Sequence, residues 1–190
     1  MVTSDRAANL LGAVATALGT AVDSRAGAAA GRSGARAAAL VTLAQWPGGT
    51  IEELRGVLGL SHSATVRVVD GLAADGLAVR RPLGGGPAVQ PVLTDTGLAQ
   101  AAEVLAARRH VLGDALDGVP EDDLPAFERT LARVLDTLTT DQEAGDWICR
   151  LCELAMCPQE RCPVQGKVDR VPAQEVARTG SRSERRVERR

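Results

Sequence analysis

The sequence predicts a mainly α fold that carries one small β-hairpin, and three observations predict it. Between Ile51 and Thr94 the apolar period runs at three and four residues, repeats after a glycine turn, and then changes to strand-like alternation around a glycine-rich tip. Apolar residues make up 45% of the 190 residues, yet there is no Tyr, one Phe and two Trp, so the core is built from Ala, Leu and Val. Such a core suits closely packed helices better than an aromatic-rich sandwich. Ala- and Leu-rich helical stretches flank the central segment on both sides.

In the central segment, IEELRGVLGL places Ile51, Leu54, Val57 and Leu58 on one helical face. Thr50 is its expected N-cap, and Glu53 three residues on completes a capping box. Gly59 stops this helix, because glycine enters the left-handed conformation without a Cβ clash. Ser61 caps the next helix, LSHSATVRVVDGL, in which Thr65, Val68, Val69 and Leu72 form the apolar face. After Asp75-Gly76 come the strand-like LAVRRP, a flexible tip at Gly84–Gly86, and AVQPVL. Two short helices around a glycine turn and then a hairpin give a winged helix-turn-helix.

Upstream, Leu10, Leu11, Val14, Leu18 and Val22 stripe a first helix that ends near Gly27 to Gly34, and Ser33 can cap the next, GARAAALVTLAQW, which stops at Pro47. Downstream, Thr96 opens a helix through Ala115 striped by Leu98, Ala101, Val104, Leu105 and Val111. Pro120 breaks it, and the acidic run Glu121 to Asp123 suits the positive end of a following helix dipole rather than acid/base chemistry. The stripe Leu124, Phe127, Leu131, Val134, Leu135, Leu138 continues through Trp147, Ile148, Leu151 and Leu154, which predicts a long terminal helix bent near Gly145.

At these residues the chain resembles the MarR family of transcriptional regulators. The resemblance rests on Leu60-Ser61, Ser63, Arg67, Val69-Asp70 and Leu72, on Gly76 to Pro82, and on Leu93-Thr94 with Gly97, and it covers about Leu10 to Leu138. It implies a homodimer on double-stranded DNA, with the first and last helices forming the dimer interface, and a pocket for a small-molecule effector. Residues 1–30 would be the N-terminal dimerisation helix, 33–95 the winged helix-turn-helix domain and 96–148 the C-terminal dimerisation helices. The family's wing tip normally carries an Arg that enters the minor groove; here Leu83 to Pro87 has no basic residue, leaving Arg80 and Arg81 at the base to meet phosphate.

The candidate DNA contacts are Ser61, His62, Ser63, Thr65, Arg67, Arg80 and Arg81. Arg67 has the fork that reads guanine O6 and N7. His62 starts an exposed helix, where a solvated surface role is the plainer reading, and His110 is a helix-surface or pocket-lining residue. A formal charge of −2 makes the electrostatic case modest, because phosphate contacts need Lys or Arg. The scarcity of aromatics argues against a single-strand binder. No nucleophile elbow, phosphate loop or dinucleotide fingerprint is present, which argues against an enzyme. The N-terminus has neither a signal-peptide pattern nor an apolar run long enough for a membrane span, so a cytoplasmic location is the default. A transcriptional repressor is the expected function, and a degenerate winged helix serving protein interaction is the alternative.

All four cysteines fall in ICRLCELAMCPQERC, as Cys149, Cys152, Cys157 and Cys162. In a reducing compartment such thiols are free, metal-bound or redox-active. Cys149 and Cys152 share a helical face, while Pro158 and Pro163 discourage helix and let the chain turn back, so segment 149–166 reads as a metal site. Zinc takes four thiolates tetrahedrally in a closed, structural site. An iron–sulfur cluster, also held by four cysteines and often beside Cys-Pro, is the alternative, and metal-free thiols that form regulatory disulfides are a third. Residues 167–190, rich in Arg and Glu without apolar period, read as a disordered basic tail.

Overall fold

The computed structural model describes residues 2–31, 34–83, 89–157 and 159–170, with side chains from residue 5 onward and excepting Gln159. The expected cap at Ser33, the glycine tip of the hairpin and the tail beyond residue 170 lie outside the described residues. The chain forms two compact units, residues 1–121 and 122–190.

The first unit contains α1 (Val2–Ala29), α2 (Gly34–Gln45), α3 (Ile51–Leu58), α4 (His62–Ala74), β1 (Ala78–Pro82), β2 (Val89–Leu93) and α5 (Asp95–Leu116). Its centre is α2, whose Ala37, Ala38, Ala39, Leu40, Val41 and Leu43 are all buried. Three consecutive alanines let the surrounding backbones approach closely, and α1, α3, α4, α5 and β2 all pack on this helix. Leu40, Leu54, Leu72, Val69 and Val104 are fully buried, each contributing about 1.5–3 kcal/mol relative to exposure. One charge enters this core: Arg36 donates from Nε to the Ala30 carbonyl at 2.8 Å and pairs with Asp75 at 2.6 Å. It thereby ties the last turn of α1 to the C-cap of α4.

The stripe expected on the first helix is only partly covered. Leu10, Leu11 and Val14 are about half exposed, and burial begins nearer the C-terminus with Ala26 and Ala30. The long downstream helix starts earlier than expected, because Thr94 and not Thr96 is its cap. The Thr94 hydroxyl accepts from the Gly97 N–H at 3.1 Å and donates to the Gly76 carbonyl at 2.8 Å, while the Thr94 N–H donates to Leu77 O at 2.9 Å. Gly97 is required here, since a Cβ would stand 2.0 Å from the Leu77 carbonyl oxygen.

In the second unit a 3₁₀ turn running to Asp123 leads into α6 (Leu124–Leu138), followed by α7 (Gln142–Cys149), a 3₁₀ turn at Gln159–Arg161 and α8 (Pro163–Val168). The single bent helix expected here is instead two helices. Thr139 is extended at the C-cap of α6, and the Asp141 side chain caps α7 by accepting from the Ala144 N–H at 2.8 Å. Gly145, where a bend was expected, lies inside α7 as a close-contact site, with Val168 and Val164 of α8 only 3.0 and 3.3 Å from where a Cβ would be. Pro163, expected to discourage helix, opens one, since the first helical position has no use for its missing N–H. Helix continues through Lys167 and Val168, so the segment from 167 onward does not begin as a tail. Among the described residues no helix is long and apolar enough to cross a membrane.

Candidate nucleic-acid interface and cysteine cluster

The helix-turn-helix is built by its caps. Thr50 and Glu53 form the complete capping box of α3: the Thr50 hydroxyl accepts from the Glu53 N–H, and the Glu53 carboxylate accepts from the Thr50 N–H at 2.7 Å. The Thr50 N–H first, and then its hydroxyl, which also donates to the Glu53 carboxylate at 2.9 Å, hold the Glu53 carboxyl below its ordinary range. Gly59 ends α3 at φ 59°, and the Ser61 hydroxyl accepts from the Ala64 N–H at 3.3 Å to open α4 after a three-residue turn. Ile51, Leu54 and Leu58 of α3 and Thr65, Val69 and Leu72 of α4 face the core.

The opposite face of α4 presents Ser61, His62, Ser63, Arg67 and Asp70, all exposed. Thr65, counted among the candidate DNA contacts, is corrected by its burial: it is fully inside and donates its hydroxyl to the Ser61 carbonyl at 3.1 Å. It can shape the start of the helix but cannot reach a base. Ser61 and Ser63 hydroxyls lie 3.3 Å apart. His62 Nδ1 lies 3.6 Å from a Glu52 oxygen on α3. The Glu52 carboxyl sits below its ordinary range, chiefly through its hydrogen bond with Arg55, with His62 a lesser cause.

The wing pairs β1 with β2 antiparallel, from Ala78 opposite Leu93 to Pro82 opposite Val89. Arg80 is joined to Asp70 of α4 at 2.6 Å, a partner that its sequence neighbours did not reveal. Its guanidinium therefore braces the wing against α4 as well as facing outward. Among the described residues Arg67 and Arg81 are exposed and form no ion pair. Asp70 was visible in the sequence as part of a Val-Asp pair, but ten residues separate it from Arg80 and only the fold joins them.

In the second unit all four cysteines are free and partly buried. Cys149 ends α7, Cys152 follows one turn later with its N–H donating to Cys149 O at 2.8 Å, Cys157 lies in the following bend, and Cys162 is the N-cap of α8. The thiols act on one another most strongly as two neighbouring pairs, Cys149 with Cys152 and Cys157 with Cys162. The Cys149 thiol is pushed far above its ordinary range, first by its hydrogen bond with Cys152, then by burial and by the charges of Cys152, Cys162 and Cys157. Burial comes first for Cys157, pushed up to about 11, followed by Cys162 and Cys152. Each pair therefore feels the other. Among the described residues no three His, Cys, Asp or Glu side chains stand as a ready-made cation cage; the thiols stand as two adjacent pairs. Beside them Arg150 stacks 3.6 Å over the Trp147 ring, an interaction the sequence reading missed although the i, i+3 spacing allows it.

A buried three-helix base, a helix-turn-helix and a two-stranded wing define the winged-helix class of regulator fold. Within that class the fold is the one seen in MarR-family transcriptional regulators. A MarR-family protein from Bacillus stearothermophilus is 23% identical and matches over 73% of this chain and 96% of its own, with a TM-score of 0.63. The transcriptional regulator PA3341 is 28% identical over 69% of this chain and 96% of its own, TM-score 0.53. CouR from Rhodococcus jostii RHA1, solved bound to p-coumaroyl-CoA, is 23% identical over 69% of this chain and 92% of its own, TM-score 0.52. These relatives in fold are regulators and not enzymes. No protein-family model and no curated protein matches the sequence.

Proposed function

We propose that the chain is a cytoplasmic, dimeric DNA-binding repressor of the MarR type, which reads a pseudo-palindromic operator with α4 in the major groove. The observation that carries this reading is the outward face of α4. Arg67, Ser63 and His62 are exposed there while Thr65, Val69 and Leu72 anchor the helix from behind. Arg67 reads a guanine edge, Ser61 and Ser63 meet base or phosphate, and Arg81 meets phosphate at the root of the wing. Arg80 orients the wing through Asp70 and adds a partial phosphate contact. The half-exposed Leu10, Leu11 and Val14 of α1 and the apolar face of α6 supply surface for a second copy. A small-molecule effector that shifts the dimer between DNA-competent and incompetent forms fits the same reading, as the ligand-bound CouR suggests by likeness.

The test is selection of DNA from a random-sequence pool by the purified full-length chain, followed by footprinting and titration. Two half-sites about one helical turn apart are expected. Arg67→Ala should lose about 1–3 kcal/mol of discrimination at one base pair, whereas Arg81→Ala should weaken specific and non-specific binding alike. A footprint of one asymmetric half-site, or equal loss in both variants, overturns the reading.

One observation favours a second reading, a winged helix that binds protein: the Asp70–Arg80 pair already neutralises one of the few cations at the face. Affinity for DNA through several phosphates falls steeply with salt. Binding to an apolar partner does not, and salt titration separates the two.

A further inference from the structure

Within one copy of the chain, the second unit buries little apolar surface. Between residues 122 and 170, Leu151 and Val164 are the buried apolar side chains apart from small contacts at Gly145 and Thr139. Small units of this kind usually need a disulfide, a metal or a partner. The four cysteines occupy the two places where such a link would act: Cys149 and Cys152 at the exit of α7, Cys157 and Cys162 in the segment that opens α8. All four are free, every cysteine of the chain is among them, and they stand as two mutually close pairs.

We propose that Cys149, Cys152, Cys157 and Cys162 hold one zinc ion as a tetrathiolate site, and that this ion anchors α8 to α7 and α6. A tetrahedral ion with S ligands at about 2.3 Å holds its sulfurs about 3.8 Å apart, a spacing that four neighbouring thiols on one short segment can supply. A multi-iron cluster puts an inorganic core between its cysteine sulfurs and spreads them farther. Cysteine has one side-chain torsion, about which each thiol can turn toward a shared ion. Zinc binding displaces the thiol protons to solvent, and the ion's two positive charges offset part of the four thiolate charges.

The consequence of loading reaches α6. Through Cys162, the N-cap of α8, the ion fixes the helix whose Lys167, with Arg170 just past its end, pairs with Asp136 of α6 and whose Val164 and Val168 cover Gly145 of α7. Zinc therefore closes a three-helix unit that its apolar contacts leave loose.

The experiment uses the full-length chain purified without oxygen and without added chelator. Elemental analysis should give one zinc per chain in a colourless protein, and cobalt(II) exchanged into the site should give the strong visible bands of tetrahedral thiolate ligation. Cys157→Ser should weaken zinc binding by more than about 100-fold, beyond what loss of an outer-sphere partner costs, and expose Lys167 to protease. Where that variant does not accumulate, the cobalt spectrum of the unaltered chain decides alone. Iron with sulfide in a brown protein overturns the proposal, as do Cys149–Cys152 and Cys157–Cys162 disulfides in a metal-free one, or a Cys157→Ser chain that keeps its zinc affinity. None of these readouts involves DNA, so the site and the operator-reading proposal stand or fall separately.

Discussion

The two units reach order by different routes. In the first, α2 is enclosed on all sides and its alanines, Leu40 and Val41 vanish from solvent. In the second, α6 has a clear apolar face, yet Leu124, Phe127, Leu131 and Leu138 remain between 36% and 60% exposed and α6 buries no residue at all. Hydrophobic burial is sufficient for the first unit. Within one copy of the chain, the second is held by specific links: helix caps and the ion pairs at Asp136. A unit held by links responds to chemistry at those links, whereas a unit held by burial does not.

The largest expected effect sharpens that contrast. Calorimetry of the full-length chain should show two transitions, and a zinc chelator should abolish or greatly lower only the one belonging to the second unit, because structural zinc ligation is coupled to folding at apparent values of about 10–16 kcal/mol. One transition unmoved by chelator would erase the distinction. Next in size, Leu72→Ala should cost about 2–5 kcal/mol through the cavity left in the first unit, measured by denaturant unfolding, with no change at the cysteine site.

A matched pair of substitutions follows. In Gly97→Ala the new methyl meets the Leu77 backbone carbonyl, which cannot yield, so a loss at or above the usual overpacking range of about 1–3 kcal/mol is expected. In Gly145→Ala the methyl meets the ends of Val164 and Val168, which can shift, and the gain of up to about 1 kcal/mol in helix propensity offsets the crowding. Equal losses at the two glycines would mean that the second unit is as rigidly packed as the first. The smallest effect is Thr50→Ala, about 1 kcal/mol at neutral pH. Glu53 in this capping box has a folded pKa below its unfolded value, so its stabilisation is present above the ordinary carboxylate range and lost as pH falls through the depressed value. The gap between wild type and variant should narrow in acid as the carboxylate gives up the Thr50 hydroxyl, without closing, because the bond from the Glu53 N–H to that hydroxyl carries no titrating charge.

Local chemistry was legible in the sequence, and packing between distant segments was not. Thr50, Glu53, Gly59 and Ser61 act through neighbours three or four residues away, and each does what its spacing implied. Arg80 with Asp70, Arg36 with Asp75, and Lys167 with Asp136 are joined by the fold alone. The extent of α1 was hidden because alanine fits a helix without marking a face. The break after Leu138 was hidden for the opposite reason: an apolar stripe continues across Thr139–Asp141, and the capping oxygen of Asp141 outweighs it. Thr65 shows how one residue can suit two readings. Its hydroxyl looks like a base contact, while its neighbours Val69 and Leu72 place it on the buried side. The cysteine spacing showed that a cluster exists, and the pairing within it became visible only in three dimensions.

Thr94 has a consequence for the order in which the wing opens. Its backbone N–H is bonded to Leu77 O, its hydroxyl reaches Gly76 across eighteen residues, and Leu77 N–H is itself bonded to Leu72 O in α4. The root of the hairpin is thus stitched to the end of α4 that Leu72 anchors in the core. Amide hydrogen exchange should accordingly run from the outer end inward: Val89 before Gln90 and Val92, with Thr94 and Leu77 exchanging only when α4 itself unfolds. The described rungs of the hairpin thus open against a root that stays closed, and two backbone bonds with one hydroxyl set the order in which they do so.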